Sequence, residues 1–195
     1  MSKNNKQPWR EDFRYTQPVG DTFIFLLDNI WAWVERAESF HEAAKATVHS
    51  YLKNSSWEGD ALPAIVFLYR HSIELLLKAI VIVDKRIQGE EERYLWSHNL
   101  SELWQKSLQS IKNVYREEHD NRIDIETMIK KLESWDNDSM KSRYPFVKEH
   151  DKDADSFKNI SIYQFIANCE RLYRRLYDCA SGMLHIYGTM DDVQY

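Results

Sequence analysis

The chain has 195 residues, of which 43% are hydrophobic and 29% charged, with seven Trp, eleven Tyr and eight Phe. This composition predicts one well-filled globular domain and excludes a disordered chain, and no stretch approaches the roughly 18 apolar residues that a membrane-spanning helix needs. The formal net charge of −5 argues against broad attraction to nucleic acid but leaves room for a local basic groove.

The first twenty residues lack helical periodicity and have no apolar run ahead of a cleavage site. We therefore expect an N-terminal arm over residues 1–20, no secretory signal, and a cytoplasmic protein without a membrane partner. A single helical domain is predicted over residues 21–187, followed by a C-terminal tail over residues 188–195.

Apolar residues recur at helical spacing in five segments, and the few Gly and Pro residues favour long helices. Pro63 suits the first turn of the second helix, and Asn99 with Glu102 is typical of a capping box that opens the third. The polar stretch from Asp136 to Asn159, broken by Pro145, is expected to be irregular. The predicted helices are Thr22 to about Lys53 behind an Asp21 cap, Ala61 to Asp84, Leu100 to about Glu118, about Ile123 to Trp135, and about Ser161 to Tyr187.

The second helix is apolar almost all round, so it is expected to be the central helix of the bundle. Nearly all of its charge falls on one arc that holds Arg70, Glu74, Lys78 and Lys85, with His71 at its edge. Two interpretations are open. The arc is either the solvated side of a core helix, or it lines a cleft where Arg70 and Lys78 attract phosphate or carboxylate and His71 exchanges a proton.

Three motifs resemble segments of HEPN-domain proteins of prokaryotic conflict systems. They are the run YRHSIELLLKA at residues 69–79, the helix start HNLSELW at residues 98–104, and SRYP at residues 142–145. The resemblance extends roughly from Ala61 to Tyr187. It implies an α-helical bundle that often dimerises.

Many domains of this family are metal-independent endoribonucleases of toxin–antitoxin, abortive-infection or other anti-phage systems, and others are inactive modules for RNA binding or assembly. The resemblance therefore predicts a homodimer, RNA as the ligand, and an antitoxin or defence-system protein as a further partner. It predicts neither a cofactor nor a metal.

Active members of the family carry an Arg and a His with four to six residues between them near the last core helix, so that two protomers build one site. In this chain Arg174 and Arg175 precede His185 by eleven and ten residues, which is outside that spacing. Two pairs elsewhere have a suitable interval. They are Arg143 with His150, in the segment before the last helix, and Arg93 with His98.

RNA cleavage through the ribose 2′-hydroxyl needs a base that works near neutral pH and a cation for the charge that builds on the phosphate. The first hypothesis is therefore RNA binding or metal-independent cleavage at a cleft between two protomers. The second is a non-catalytic interaction module whose charged arc meets a partner protein. The predicted catalytic residues are His71, Arg70, Glu74, Arg143 and His150, and the predicted binding residues are Lys78, Arg174 and His185.

Three further features have structural interpretations. Cys169 and Cys179 fall on one helix, too far apart for a disulfide between them. His41 and Glu42 begin a zinc-protease pattern, but Lys45 stands where its second histidine would be, which excludes that site. Gly182 within the last helix indicates close helix packing or a kink.

Overall fold

A computed structural model describes residues 30–53, 61–90, 97–115, 122–135 and 161–191. Within these ranges the chain is all-α and contains no strand, as the sequence predicts. The helices are α1 (Trp31–Lys53), α2 (Leu62–Ile87), α3 (Leu100–Tyr115), α4 (Arg122–Trp135) and α5 (Ile162–Asp191). The arm predicted over residues 1–20, the cap at Asp21 and the segment from Asp136 to Asn159 lie outside the described residues.

The central helix α2 begins where the sequence predicts and continues past Asp84 to Ile87. Pro63 lies in its first turn, where the missing N–H has no helical acceptor to lose. Gly89 follows the helix with φ of +70°, a conformation that glycine adopts without steric cost. The chain can therefore turn away directly after α2.

The start of α3 is capped as predicted, but with an additional member. The Asn99 side chain accepts a hydrogen bond from the Glu102 N–H at 2.7 Å, which confirms the N-cap. The Glu102 carboxylate accepts from the Ser97 hydroxyl at 2.7 Å, and that hydroxyl accepts from the Asn99 N–H at 3.2 Å. Ser97 therefore relays the second arm of the capping box and holds residues 97–99 in place.

Helix α2 packs against α1, α3 and α5, and α4 covers the groove between α3 and α5. Tyr69, Ile73, Leu76, Leu77 and Ile80 of α2 are completely buried, as expected of a helix that is apolar all round. Helix α5 runs past the predicted end at Tyr187 to Asp191, so residues 188–191 of the predicted tail are helical.

Contacts along the helices define their directions. From α2 to α3, Arg70 bonds His98, Leu77 bonds Ser107 and Asp84 bonds Asn113, so the two helices are parallel. Helix α5 shares this direction, because Tyr69 bonds Glu170 near its start and Tyr115 of α3 bonds Cys179 further along. Helix α4 runs the opposite way to α5, because Asp124 near its start lies beside Arg171 and Arg175, whereas Leu132 near its end lines a pocket with Cys169.

The close packing predicted at Gly182 is confirmed. A Cβ atom placed on Gly182 would lie 2.5 Å from the Tyr115 hydroxyl oxygen, which approaches α5 to reach the Cys179 carbonyl. At Gly188, six residues further along the same helix, a Cβ atom would meet nothing within 4 Å. The two glycines therefore form a matched pair for testing the packing of α3 on α5.

We expect Gly188→Ala to raise the free energy of unfolding by up to about 1 kcal/mol, because alanine favours the helix. Gly182→Ala should lose this gain and melt below the wild type, since the Tyr115 ring must move. Adding Tyr115→Phe to Gly182→Ala removes the clashing oxygen and should restore part of the lost stability. Thermal unfolding followed by circular dichroism measures all three, and an equal gain at both glycines would contradict the close approach.

Candidate functional site

The charged arc of α2 is buried rather than solvated or open. The exposed fraction is 0% for Arg70, 1% for Glu74 and 7% for Lys78. At these three positions the arc is therefore neither a solvated face nor the lining of a cleft, and the side chains have almost no surface on which to meet a ligand directly. Lys85, at the end of the arc, keeps 26% of its side chain exposed.

These buried charges converge on the Glu74 carboxylate. Its Oε2 atom accepts from Arg70 Nη1 at 3.3 Å, and its Oε1 atom accepts from Lys78 Nζ at 2.8 Å and from His98 Nδ1 at 2.9 Å. Breaking a buried charge cluster by removing one member costs several kcal/mol, because the remaining charges lose their partners. We call Arg70, Glu74, Lys78 and His98 the Glu74 cluster.

The cluster keeps Glu74 ionised. Burial alone would raise the pKa of the Glu74 carboxyl group, but the hydrogen bonds and positive charges of Lys78 and His98 outweigh burial and hold the pKa below its ordinary value. Glu74 is therefore a carboxylate at neutral pH and acts only as an acceptor. The proton of the His98 hydrogen bond accordingly lies on Nδ1.

His98 is the member of the Glu74 cluster that reaches solvent, with 53% of its side chain exposed. Its backbone is also held, because Arg70 Nη2 donates to the His98 carbonyl oxygen at 2.7 Å and the capping residues Ser97 and Asn99 flank it. With Nδ1 bonded to a buried carboxylate, Nε2 is the nitrogen left for solvent, and in the neutral ring it carries a lone pair. Histidines that act as a general acid or base are often oriented in this way, with one ring nitrogen bonded to a carboxylate and the other accessible.

His71 lies apart from the Glu74 cluster. Its ring stacks on Phe67 at a centroid distance of 5.6 Å and meets the edge of Phe40 on α1 at 4.5 Å. The expectation that His71 works beside Arg70 is therefore not met, because adjacent residues of a helix point in different directions. The histidine beside Arg70 is His98, from the start of α3.

The remaining predicted site residues are not brought to this cluster. Arg174 and His185 are both exposed on α5, three helical turns apart on one side of the helix. Arg143 and His150 lie outside the described residues, as does Arg93.

A second histidine–carboxylate network was missed by the sequence analysis. Glu170 Oε1 on α5 accepts from the Tyr69 hydroxyl at 2.7 Å and lies 3.0 Å from His41 Nε2 on α1. The His41 ring stacks on Tyr173 at 3.6 Å. Burial and the Glu170 hydrogen bond raise the pKa of Tyr69, so the phenol keeps the proton that it donates.

The available signal for this network was the periodicity of α1. His41 falls on the same face as Val34, Ala37, Ala44 and Val48, which is the buried face of the helix. A histidine in such a row is expected to be buried and to need a polar partner. Nothing in the spacing identifies Glu170 as that partner.

A small pocket lies between two of the described helices. A cavity between α4 and α5, lined by Leu132 and Cys169 among others, has a volume of about 10 Å³, which is space for a single water molecule. Across the described helices no cluster of three His, Cys, Asp or Glu side chains has the arrangement of a metal site. None of these helices is long and apolar enough to span a bilayer.

Comparison with known proteins returns no match, whether to protein-family models, to curated proteins or to solved structures.

The Glu74 cluster is expected to contribute strongly to the stability of the fold. Glu74→Gln leaves Arg70 and Lys78 buried with a neutral acceptor, so we expect it to lower the free energy of unfolding by about 3 kcal/mol. Glu126→Gln, which changes a surface ion pair with Lys130, should cost less than about 0.5 kcal/mol. Urea unfolding at neutral pH measures both.

The same variant should change the dependence of stability on pH. Because the pKa of Glu74 is lower in the folded chain, its contribution is fully present above the ordinary carboxyl pKa of about 4.3 and is lost as the pH falls through the lowered folded value. The difference in stability between wild type and Glu74→Gln should therefore shrink in acid. A difference that stays constant from neutral to acidic pH would contradict this assignment.

Proposed function

We propose that the chain is a HEPN-like domain of a prokaryotic toxin or anti-phage defence system that binds RNA and cleaves it without a metal, with His98 as the side chain that moves the proton. The observation that carries the proposal is the geometry of His98. Its Nδ1 atom is bonded at 2.9 Å to the 1%-exposed Glu74 carboxylate, while 53% of the imidazole side chain faces solvent.

The chemistry follows from the free nitrogen of His98. Nε2 accepts the proton of a ribose 2′-hydroxyl, the 2′-oxygen attacks the adjacent phosphorus, and the bond from phosphorus to the 5′-oxygen breaks. The leaving 5′-oxygen takes a proton from the imidazolium, directly or through water. The products are a 2′,3′-cyclic phosphate and a 5′-hydroxyl, and the imidazole returns to its neutral form.

The buried members of the Glu74 cluster support this step without touching RNA. Glu74 fixes the orientation of the imidazole, while Arg70 holds the backbone of His98 and Lys78 keeps Glu74 ionised. They are positioning residues. Neither buried cation contacts the phosphate. Arg93, which precedes His98 at the interval of the family signature but lies outside the described residues, is the candidate that the sequence nominates for that role.

The second candidate function is a non-catalytic assembly module of such a system. It is favoured by large apolar side chains that α5 leaves in solvent, since Tyr163 is 68% exposed and Met190 47% exposed. Apolar side chains of this size are common at the centres of protein interfaces. A second copy of the chain and an antitoxin are both partners that such a surface could bind.

We expect purified protein to cleave RNA in the presence of EDTA, and His98→Ala to slow cleavage by at least about 100-fold while the protein stays folded, because the side chain is half exposed. His49→Ala, at an exposed position on α1, is the matched control and should cleave at the wild-type rate. Glu74→Gln should also slow cleavage and shift its pH profile, as expected of a residue that acts through His98.

Two results would contradict the proposal. Cleavage that survives in His98→Ala and disappears in His185→Ala would move the chemistry to α5. No cleavage by folded protein, across RNAs of different sequence, would favour the assembly module. Products that end in a 2′,3′-cyclic phosphate, detected by mass spectrometry, separate the proposed route from metal-dependent hydrolysis by a contaminating nuclease.

A further inference from the structure

We propose that Arg171, Arg174 and Arg175 on α5 form a binding site for the phosphodiester backbone of RNA, separate from His98. The choice of RNA as the source of phosphate rests on the proposed function. The site itself rests on the charges of these three side chains, which we call the α5 arginine patch, and on an unmet hydrogen bond of Arg175.

Within the described helices, two arginines of the patch share one acid and the third has none. Arg171 Nη2 lies 2.8 Å from Asp124 Oδ2 on α4, and Arg175 Nη1 lies 4.0 Å from the same oxygen. Arg174 is exposed and pairs with no carboxylate of the described chain, although Asp178 lies one turn away. The patch is therefore a local positive surface on a chain whose net charge is −5.

Arg175 adds an observation that points to a ligand. Its Nη1 group is buried and makes no hydrogen bond, while 27% of the whole side chain remains accessible. An unpaired buried N–H costs free energy, and a guanidinium donates through several N–H groups in one plane. Because Nη1 is buried, a phosphate would not reach that atom. It would bind the accessible part of the Arg175 side chain, for which Asp124, at 4.0 Å, provides no hydrogen-bond acceptor.

The patch offers phosphate two positions, because Arg171 and Arg175 converge on one acidic oxygen while Arg174 stands apart from them. Arg171 and Arg175 are one turn apart on one side of α5, and Arg174 is offset around the helix. Arg171 is 56% exposed, so its ion pair with Asp124 is a surface pair that exchanges readily with another acceptor. Planar guanidinium groups bind phosphate oxygens in pairs, which favours arginine over lysine for this contact.

The test is direct binding of a short fluorescein-labelled RNA whose 2′-hydroxyls are all methylated. This probe has the phosphates of RNA but no nucleophile for cleavage, so binding is measured independently of His98. We expect the triple variant Arg171→Gln, Arg174→Gln, Arg175→Gln to bind at least about tenfold more weakly in fluorescence anisotropy. The slope of log Kd against log salt should become shallower by about 2, as expected for three lost contacts to a single strand.

A charge-matched control separates the site from general electrostatics. Arg36→Gln, Lys53→Gln and Lys112→Gln remove the same charge from exposed positions on α1 and α3, and this triple variant should bind within about twofold of the wild type. Arg174→Gln alone, which breaks no ion pair of the described chain, should weaken binding about threefold and guards against misfolding of the triple variant.

Equal weakening by the patch and control variants, unchanged binding by Arg174→Gln, or no binding of the probe by wild type would overturn the site. These failures are distinct from failure of the proposed catalysis. If the protein binds the probe through the α5 arginine patch but never cleaves RNA, this inference stands and the proposed role of His98 fails. If the protein cleaves RNA at His98 and binds the probe equally well without the patch, the role of His98 stands and this inference fails.

Discussion

The structure depends on one buried carboxylate. Glu74 lies at the middle of the central helix with 1% of its surface exposed, and it accepts hydrogen bonds from its own helix and from the start of α3. An ionised carboxylate in such a place is tolerated only with compensating partners, and here two cations and an imidazole supply them. These contacts make three properties depend on one another: the position of α3, the orientation of His98 and the ionisation of Glu74. A substitution at one member of the cluster therefore disturbs the others.

Consecutive residues of α2 serve two networks on different sides of the helix. Arg70 faces α3 and bonds both Glu74 and the His98 carbonyl, whereas Tyr69 faces α5 and bonds Glu170 beside His41. The two networks differ in whether the histidine or the carboxylate is the more exposed side chain. In the first the carboxylate is buried and the histidine is accessible, and in the second His41 is 6% exposed while the Glu170 side chain is 30% exposed. The first therefore offers an imidazole to solvent, and the second mainly joins α1, α2 and α5.

Helix positions were predictable because they follow from local patterns. The period of apolar residues, Pro63 in the first turn of α2 and the Asn99 cap place four of the helices within a few residues of their ends. The charged arc was also found, since a helical wheel places Arg70, Glu74 and Lys78 together. A wheel does not say what packs on an arc, so it could not show that Arg70, Glu74 and Lys78 are buried.

The contacts that define the site are long-range and were not predictable from spacing. The Arg70 guanidinium and the His98 carbonyl are separated by 28 positions, and Tyr69 and Glu170 by 101. No local signal distinguishes His98, which bonds Glu74, from His71, which stands next to Arg70 in the chain. A buried charge on the central helix was the clue, because it requires a partner from another element.

The parallel course of α2 and α3 has a consequence for how the chain folds. Helices joined by a short connection usually lie antiparallel and associate early as a local hairpin. Here the chain leaves α2 at Ile87 and returns to the level of Arg70 before α3 begins. The two helices therefore cannot associate turn by turn from a tight connection. Their contact therefore carries the entropic cost of closing a loop, and the hydrogen bond from Arg70 to the His98 carbonyl is one of the contacts that offset this cost.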